Sequence, residues 1–167
     1  MQVVKPDYND FAAIAAIFNK AVIPFHEIYS DEEVKAYADS MVETANTISD
    51  LAETREVLCI REGEVIAGFA AFRKKNDHVV WISYLYVDPA CQRKGMGRAL
   101  LSGVEIFSNE KGCDVLALET HPKADWAISF YLKNGFRIVN DMMAELPYSF
   151  ILDKPPVPGR PVLAKRI

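Results

Sequence analysis

Apolar positions in this chain recur with two different periods, and the switches between them mark the elements. Phe11, Ile14, Ala15 and Phe18 share one side of a 3.6-residue repeat, which predicts a helix over 9–22 behind a short edge strand at 1–4. Pro24 predicts a loop. Ser30 and Glu33 stand at capping-box spacing, so a second helix is expected from there to Met41 or beyond. Its acidic first turn, with Asp31, Glu32 and Glu33, suits the positive end of the peptide dipoles, so these carboxylates, like Glu27 before them, are expected as caps and solvated charge. Residues 56–60 and 64–72 read as strands joined through Arg61-Glu62-Gly63, a hairpin with its glycine in the turn.

The strongest strand signal is 79–87, VVWISYLYV, which is rich in β-branched and aromatic residues and is stopped by Asp88-Pro89. From Gly97 the apolar residues Leu100, Leu101, Val104 and Phe107 return to steps of three and four, and Gly112 after Lys111 is a C-terminal stop. DVLALE at 114–119 predicts the next strand. A helix is expected over 124–133, closed by Asn134-Gly135, and 136–139 then returns to the sheet. The prolines of DKPPVPGRP at 153–161 fix φ and remove donors, so that stretch is expected as loop before a last strand at 162–166.

Between strand 79–87 and the helix after it lies Gln92-Arg93-Lys94-Gly95-Met96-Gly97-Arg98. A helix N-terminus carries backbone N–H groups without intrahelical partners and partial positive charge from the aligned peptides, and an anion satisfies both. Gly95 and Gly97 permit positive φ and close approach of a ligand, while Arg93, Lys94 and Arg98 add cations. Phosphate is the expected guest. The same string also fits a tight connection with a solvated basic face, and the residues by themselves leave both readings open. No Gly-x-x-x-x-Gly-Lys-Ser/Thr string occurs and the spacing is not Gly-x-Gly-x-x-Gly, which disfavours an ATPase or a dinucleotide oxidoreductase.

Leu85-Tyr86-Val87-Asp88-Pro89 followed by Gln92-x-x-Gly95-x-Gly97 resembles the acetyl-CoA pyrophosphate motif of the GNAT superfamily of N-acetyltransferases. Ser129-Phe130-Tyr131-Leu132-Lys133-Asn134-Gly135-Phe136 is similar to the FYxxxGF segment of the same family, in the right order and preceded by a strand. The resemblance implies an α/β fold, a mixed and mostly antiparallel central sheet flanked by helices and splayed at its fourth strand, with residues 1–167 forming one domain. It further implies acetyl-CoA as co-substrate, contacted by Leu85, Tyr86, Val87, Gln92, Arg93, Lys94, Gly95, Met96, Gly97, Arg98 and Phe130.

Composition narrows the class without naming it. The 167 residues are 50% hydrophobic and 25% charged, as in ordinary globular domains, and the net charge of −4 argues against general nucleic-acid binding. Trp126, Phe130 and Tyr131 could stack bases, but their helical spacing with Ala127 marks a core face. No signal-peptide pattern or membrane-spanning run is seen, so a cytoplasmic, non-membrane protein is expected. Cys59, Cys91 and Cys113 lack the close pairs of zinc sites, and His26, His78 and His121 lack ligand spacing, so no metal is expected. Cys91, beside the loop, reads as a small filler more readily than as a reactive thiol.

Acyl transfer from a thioester to an amine needs a neutral amine, a polarised carbonyl and a stabilised thiolate. A lysine-like amine with pKa ~10.4 is neutral in only about one molecule in a few thousand at pH 7, so a proton must be removed first. Glu119 ends a strand, and its twelve-residue separation from Tyr131 resembles the Glu and Tyr pair of some family members; it is the named base, with a solvated strand-end glutamate as its plain alternative. The acid that the family often carries before the phosphate loop is replaced by Ser83 and Tyr84. Tyr131 matches the family's general acid at the coenzyme sulfur, a packed core tyrosine being its alternative. The family's asparagine seven residues earlier is Ala124 here. These departures keep a second reading alive, a non-catalytic acyl-CoA-binding regulatory module. Neither the amine acceptor nor the oligomeric state is written in the sequence.

Overall fold

The computed structural model describes residues 1–29, 31–40, 42–140 and 159–167. In chain order these form β1 (Gln2–Val4), α1 (Phe11–Ala21), α2 (Ile23–His26), α3 (Glu32–Ser40), α4 (Ala45–Thr54), β2 (Glu56–Glu62), β3 (Val65–Lys74), β4 (Val79–Val87), α5 (Met96–Glu110), β5 (Val115–Glu119), α6 (Asp125–Lys133), β6 (Arg137–Ile138) and β7 (Val162–Arg166). The strands make one sheet in the order β1-β2-β3-β4-β5-β7-β6. It is mixed: β1 and β2, β5 and β7, and β6 and β7 pair antiparallel, while β4 and β5 run parallel through Val79↔Val115, Val80↔Leu116 and Trp81↔Ala117. The last strand therefore inserts between its two predecessors.

The chain divides into two compact units, residues 1–71 with 84–103 and residues 72–83 with 104–167. In the first, α1 turns Phe11, Ile14, Ala15 and Ile17 onto Ile48 of α4, Val57 and Cys59 of β2, and Ile66, Phe69 and Ala71 of β3. Fully burying a side chain of the Val, Leu, Ile or Phe type is worth roughly 1.5–3 kcal/mol, so this cluster dominates the unit's cohesion. One charge is taken inside. Asp10 is 7% exposed, and both of its carboxylate oxygens accept from Arg61 Nη2 at 2.6 Å while Oδ2 also accepts from Asp7 N at 2.9 Å. In the second unit, Val79, Val115, Ala117, Val139, Val162 and Ala164 pack together beneath Trp81.

Several expectations shift. Pro24 does not sit in a loop but at the start of the one-turn helix α2, where a missing N–H costs nothing because that donor has no intrahelical partner anyway. Helix α4 was not foreseen: its capping box uses Thr44 and Thr47 rather than a glutamate, with Thr44 N donating to Thr47 Oγ1 at 2.8 Å and Thr47 N to Thr44 Oγ1 at 3.3 Å. Its inward positions Ala45, Ile48, Leu51 and Ala52 are few and small, so the periodic signal is weak. Helix α5 begins at Met96 rather than Gly97, β3 runs on to Lys74, and β5 starts at Val115, Asp114 lying before it. Trp126 is 46% exposed instead of lining a core, because Ala124 and Tyr131, seven residues apart, define the inward side of α6. Ser30, half of the expected capping box, and residues 153–158 of the proline-rich stretch lie outside the described residues.

Candidate active site

The first unit carries the loop. β4 ends at Val87, and Asp88 stops it by accepting from Ala90 N at 2.9 Å and opening a single 3-10 turn, Pro89–Cys91. The Ala90 N–H above all, and then Lys20, whose Nζ lies 3.2 Å from Asp88 Oδ2, hold the Asp88 carboxyl below the ordinary carboxylate range. Gln92 then reaches back, its Nε2 donating to the Val87 carbonyl at 3.3 Å. The loop's first residue is thereby tied to the strand it leaves.

Two positive φ values turn the chain into α5: 62° at Arg93 and 84° at Gly95. Glycine was expected to serve at 95 and 97; the left-handed residues are 93 and 95, and Gly97 lies inside the first helical turn. The Gly95 carbonyl accepts from Ala99 N at 3.0 Å, which makes Gly95 the residue that opens the helix. The amides of Met96, Gly97 and Arg98 thus belong to the first turn, where no intrahelical acceptor exists for them. Met96 is buried and anchors the turn, whereas Arg93, Lys94, Gly95 and Arg98 are exposed and space is open around Gly95. Donors, dipole and three cations converge on one exposed loop, an arrangement that fits a diphosphate.

The strand end feeding this loop is held from one side by β3. A Cβ at Gly68 would lie 2.8 Å from the Tyr86 carbonyl oxygen and 3.2 Å from Val87 Cα, and Asp88 N donates to Ala67 O at 2.9 Å. Only glycine allows that approach. The Tyr86 ring packs among Phe18, Phe25, Phe69 and Tyr84, and burial there, followed by the neighbouring Tyr84 and Tyr29, pushes its phenol well above the usual tyrosine range. What Tyr86 can offer a ligand is its main chain. Also in this unit, His26 Nδ1 lies 2.9 Å from Asp39 Oδ1, joining α2 to α3.

The second unit carries Phe130, Tyr131 and Glu119. Tyr131 is 8% exposed on α6, with its ring edge-on to Phe130 at 5.1 Å and to Phe136 at 5.3 Å. Ala124 precedes the helix, fully buried and without a side-chain cap. Glu119, at the end of β5, is ion-paired: its Oε1 accepts from Arg160 Nη1 at 3.1 Å. His121 Nδ1 accepts from Lys123 N at 3.2 Å, and burial first, then Arg160 and Lys123, hold its pKa below the ordinary histidine value. Arg160, His121 and Gly68 carry no motif, and only the fold reveals their place. Among the described residues no group of three or more His, Cys, Asp or Glu is placed to hold a metal, and no helix is long and apolar enough to cross a membrane.

The family model described as "Acetyltransferase (GNAT) family" matches residues 15–136. The chain belongs to the GNAT acetyltransferase family. By that membership it is an acetyl-CoA-dependent N-acetyltransferase. This acetyltransferase is 30% identical over 106 residues to an aminoglycoside N(6')-acetyltransferase type 1 of Stenotrophomonas maltophilia, covering 59% of this chain and 69% of that one. It is 30% identical over 138 residues to the L-amino acid N-acyltransferase MnaT of Escherichia coli K12, covering 80% and 77%. Its fold matches that of the PaiA N-acetyltransferase of Thermoplasma acidophilum, solved in complex with coenzyme A, at a TM-score of 0.76 and 17% identity, over 99% and 98% of the two chains.

Proposed function

We propose that this acetyltransferase moves an acetyl group from acetyl-CoA to a primary amine by direct attack, with residues 1–167 acting as one transferase domain in the cytoplasm. The carrying observation is the turn at Arg93 and Gly95, which presents the first-turn amides of α5 and three exposed cations together. Leu85, Tyr86 and Val87 contribute main chain, Gln92 to Arg98 take the diphosphate, and Phe130 supplies an apolar wall. Relatives named for N-acetylation of an aminoglycoside and for N-acyl transfer to L-amino acids support an amine as acceptor. Three free cysteines support a reducing compartment.

Acetyl-CoA brings the acetyl group as a thioester. The amine nitrogen forms the new bond to the carbonyl carbon, the carbon–sulfur bond breaks, and the amine's proton leaves. Glu119 receives that proton, directly or through water. An N–H on the strand around Leu85 to Val87 donates to the carbonyl oxygen as negative charge grows there. Tyr131 holds its phenolic proton toward the departing sulfur. Full transfer from a phenol of pKa ~10 to a thiolate near ~8.5 is uphill by about 2 kcal/mol, so a hydrogen bond that tightens with developing charge is the larger part of its role.

The test is calorimetry with acetyl-CoA followed by thiol release across an amine library, with product mass spectrometry. Coenzyme uptake and amine-dependent thiol release are expected. Tight uptake with no release over amino acids, polyamines, aminoglycosides and peptide N-termini would overturn the reading.

A further inference from the structure

Arg160 is fixed more firmly than an exposed surface arginine needs to be. Asn140 clamps the chain on either side of Pro161, Nδ2 donating to Arg160 O at 2.8 Å while Oδ1 accepts from Val162 N at 2.8 Å. Thr120 N donates to the carbonyl of the next residue, Pro161, at 3.3 Å. The guanidinium is then aimed by Glu119 through the 3.1 Å contact of Nη1 with Oε1. Yet solvent reaches both side chains, Arg160 at 43% and Glu119 at 17% exposure. A guanidinium has five N–H donors, and among the described residues this one spends a single contact on a carboxylate.

We propose that Glu119 and Arg160 together recognise the acceptor as a zwitterionic α-amino acid, the carboxylate of Glu119 taking its ammonium and the guanidinium of Arg160 its carboxylate. This rests on the transferase reading above and narrows its substrate class. In an α-amino acid the two charged groups hang on one carbon, so ammonium and carboxylate lie roughly 3 Å apart. A fixed carboxylate–guanidinium pair at 3.1 Å presents the opposite signs at matching separation. Guanidinium is also the side chain whose planar fork suits a carboxylate. A polyamine or aminoglycoside brings several positive charges to the same place and meets Arg160 with like charge. A simple amine engages Glu119 alone.

The experiment compares matched acceptors with the full-length chain: L-leucine, L-leucinamide and isoamylamine, then the same triplets built on other side chains. For at least one triplet kcat/KM for the acid is expected to exceed that for its amide and its decarboxylated amine by about tenfold or more, the scale of a charged hydrogen bond. In Arg160→Gln the acid-to-amide ratio is expected to collapse toward one, chiefly through KM for the acid, and Arg160→Lys is expected to restore part of it. Amides or plain amines used as well as the acids by the wild-type chain would overturn the proposal while leaving the transferase standing, and this arm needs no variant to fold. A ratio unmoved in folded Arg160→Gln would overturn it too. No transfer to any amine would instead overturn the transferase reading itself.

Discussion

The two regions proposed to carry this molecule's chemistry are built from different materials. The loop at 92–98 offers main chain: first-turn amides, a dipole, two left-handed residues and exposed cations. The region around Glu119 and Tyr131 offers side chains: a compensated ion pair and a ring packed between two phenylalanines. Backbone amides present themselves wherever a helix starts, so a site made of them tolerates variation in the side chains around it. A carboxylate, a guanidinium and a phenol act only where the tertiary structure puts them, and one misplaced atom is felt.

If that contrast holds, the largest single-residue effect falls on the side-chain region. Tyr131→Phe is expected to lower kcat about a hundredfold while leaving the Kd for acetyl-CoA within about twofold, because the hydroxyl acts as charge develops. Stopped-flow thiol release with calorimetry checks both numbers, and equal losses in kcat and affinity would erase the distinction. The loop is expected to respond in the opposite way. Replacing Arg93, Lys94 and Arg98 together by Gln is expected to weaken coenzyme binding by about tenfold to a hundredfold and to flatten its salt dependence, with kcat at saturation little changed.

Next comes Gly68, which sharpens the comparison because it supports the strand end through close backbone approach alone. Gly68→Ala sets a methyl against the Tyr86 carbonyl, where backbone cannot yield, and is expected to cost about 1–3 kcal/mol of stability. At this size that is a fall in Tm of about 2–4 °C for each kcal/mol, read by thermal melting. The smallest effect is chemical. Burial pushes the Cys59 thiol up to about 11 and raises that of Cys113, whereas Cys91 is half-exposed beside the loop. Brief alkylation of the native protein at pH 8 is therefore expected to mark Cys91 first, and coenzyme A to slow it. Peptide mass spectrometry reads the order, and early labelling of Cys59 would mean that the core around it opens.

Where physics is local, the sequence was legible. Val79–Val87 and its Asp88-Pro89 stop, the helix over 96–110 and the turn between them all follow from neighbours a few residues apart. The start of α5 was off by one residue and the second left-handed position was Arg93 rather than Gly97, since a loop's φ values depend on what its ends must join. Helix α4 escaped notice because a Thr–Thr capping box and four modest inward residues give a weak pattern. Trp126 looked like core because 126 and 130 share a helical stripe, but which stripe faces inward is settled by the sheet beneath.

Taken alone, then, the order of residues determined most of the elements, the glycine-containing basic turn before α5 and the family resemblance, because hydrogen-bonded periodicity and glycine φ are short-range properties. Tertiary structure alone decided that Asn140 locks Arg160, that Arg160 reaches Glu119 across forty-one positions of sequence, and that Gly68 lies under Tyr86. Those contacts join residues whose proximity depends on how strands pair, and no local pattern of apolar and polar positions encodes which distant charge will meet which.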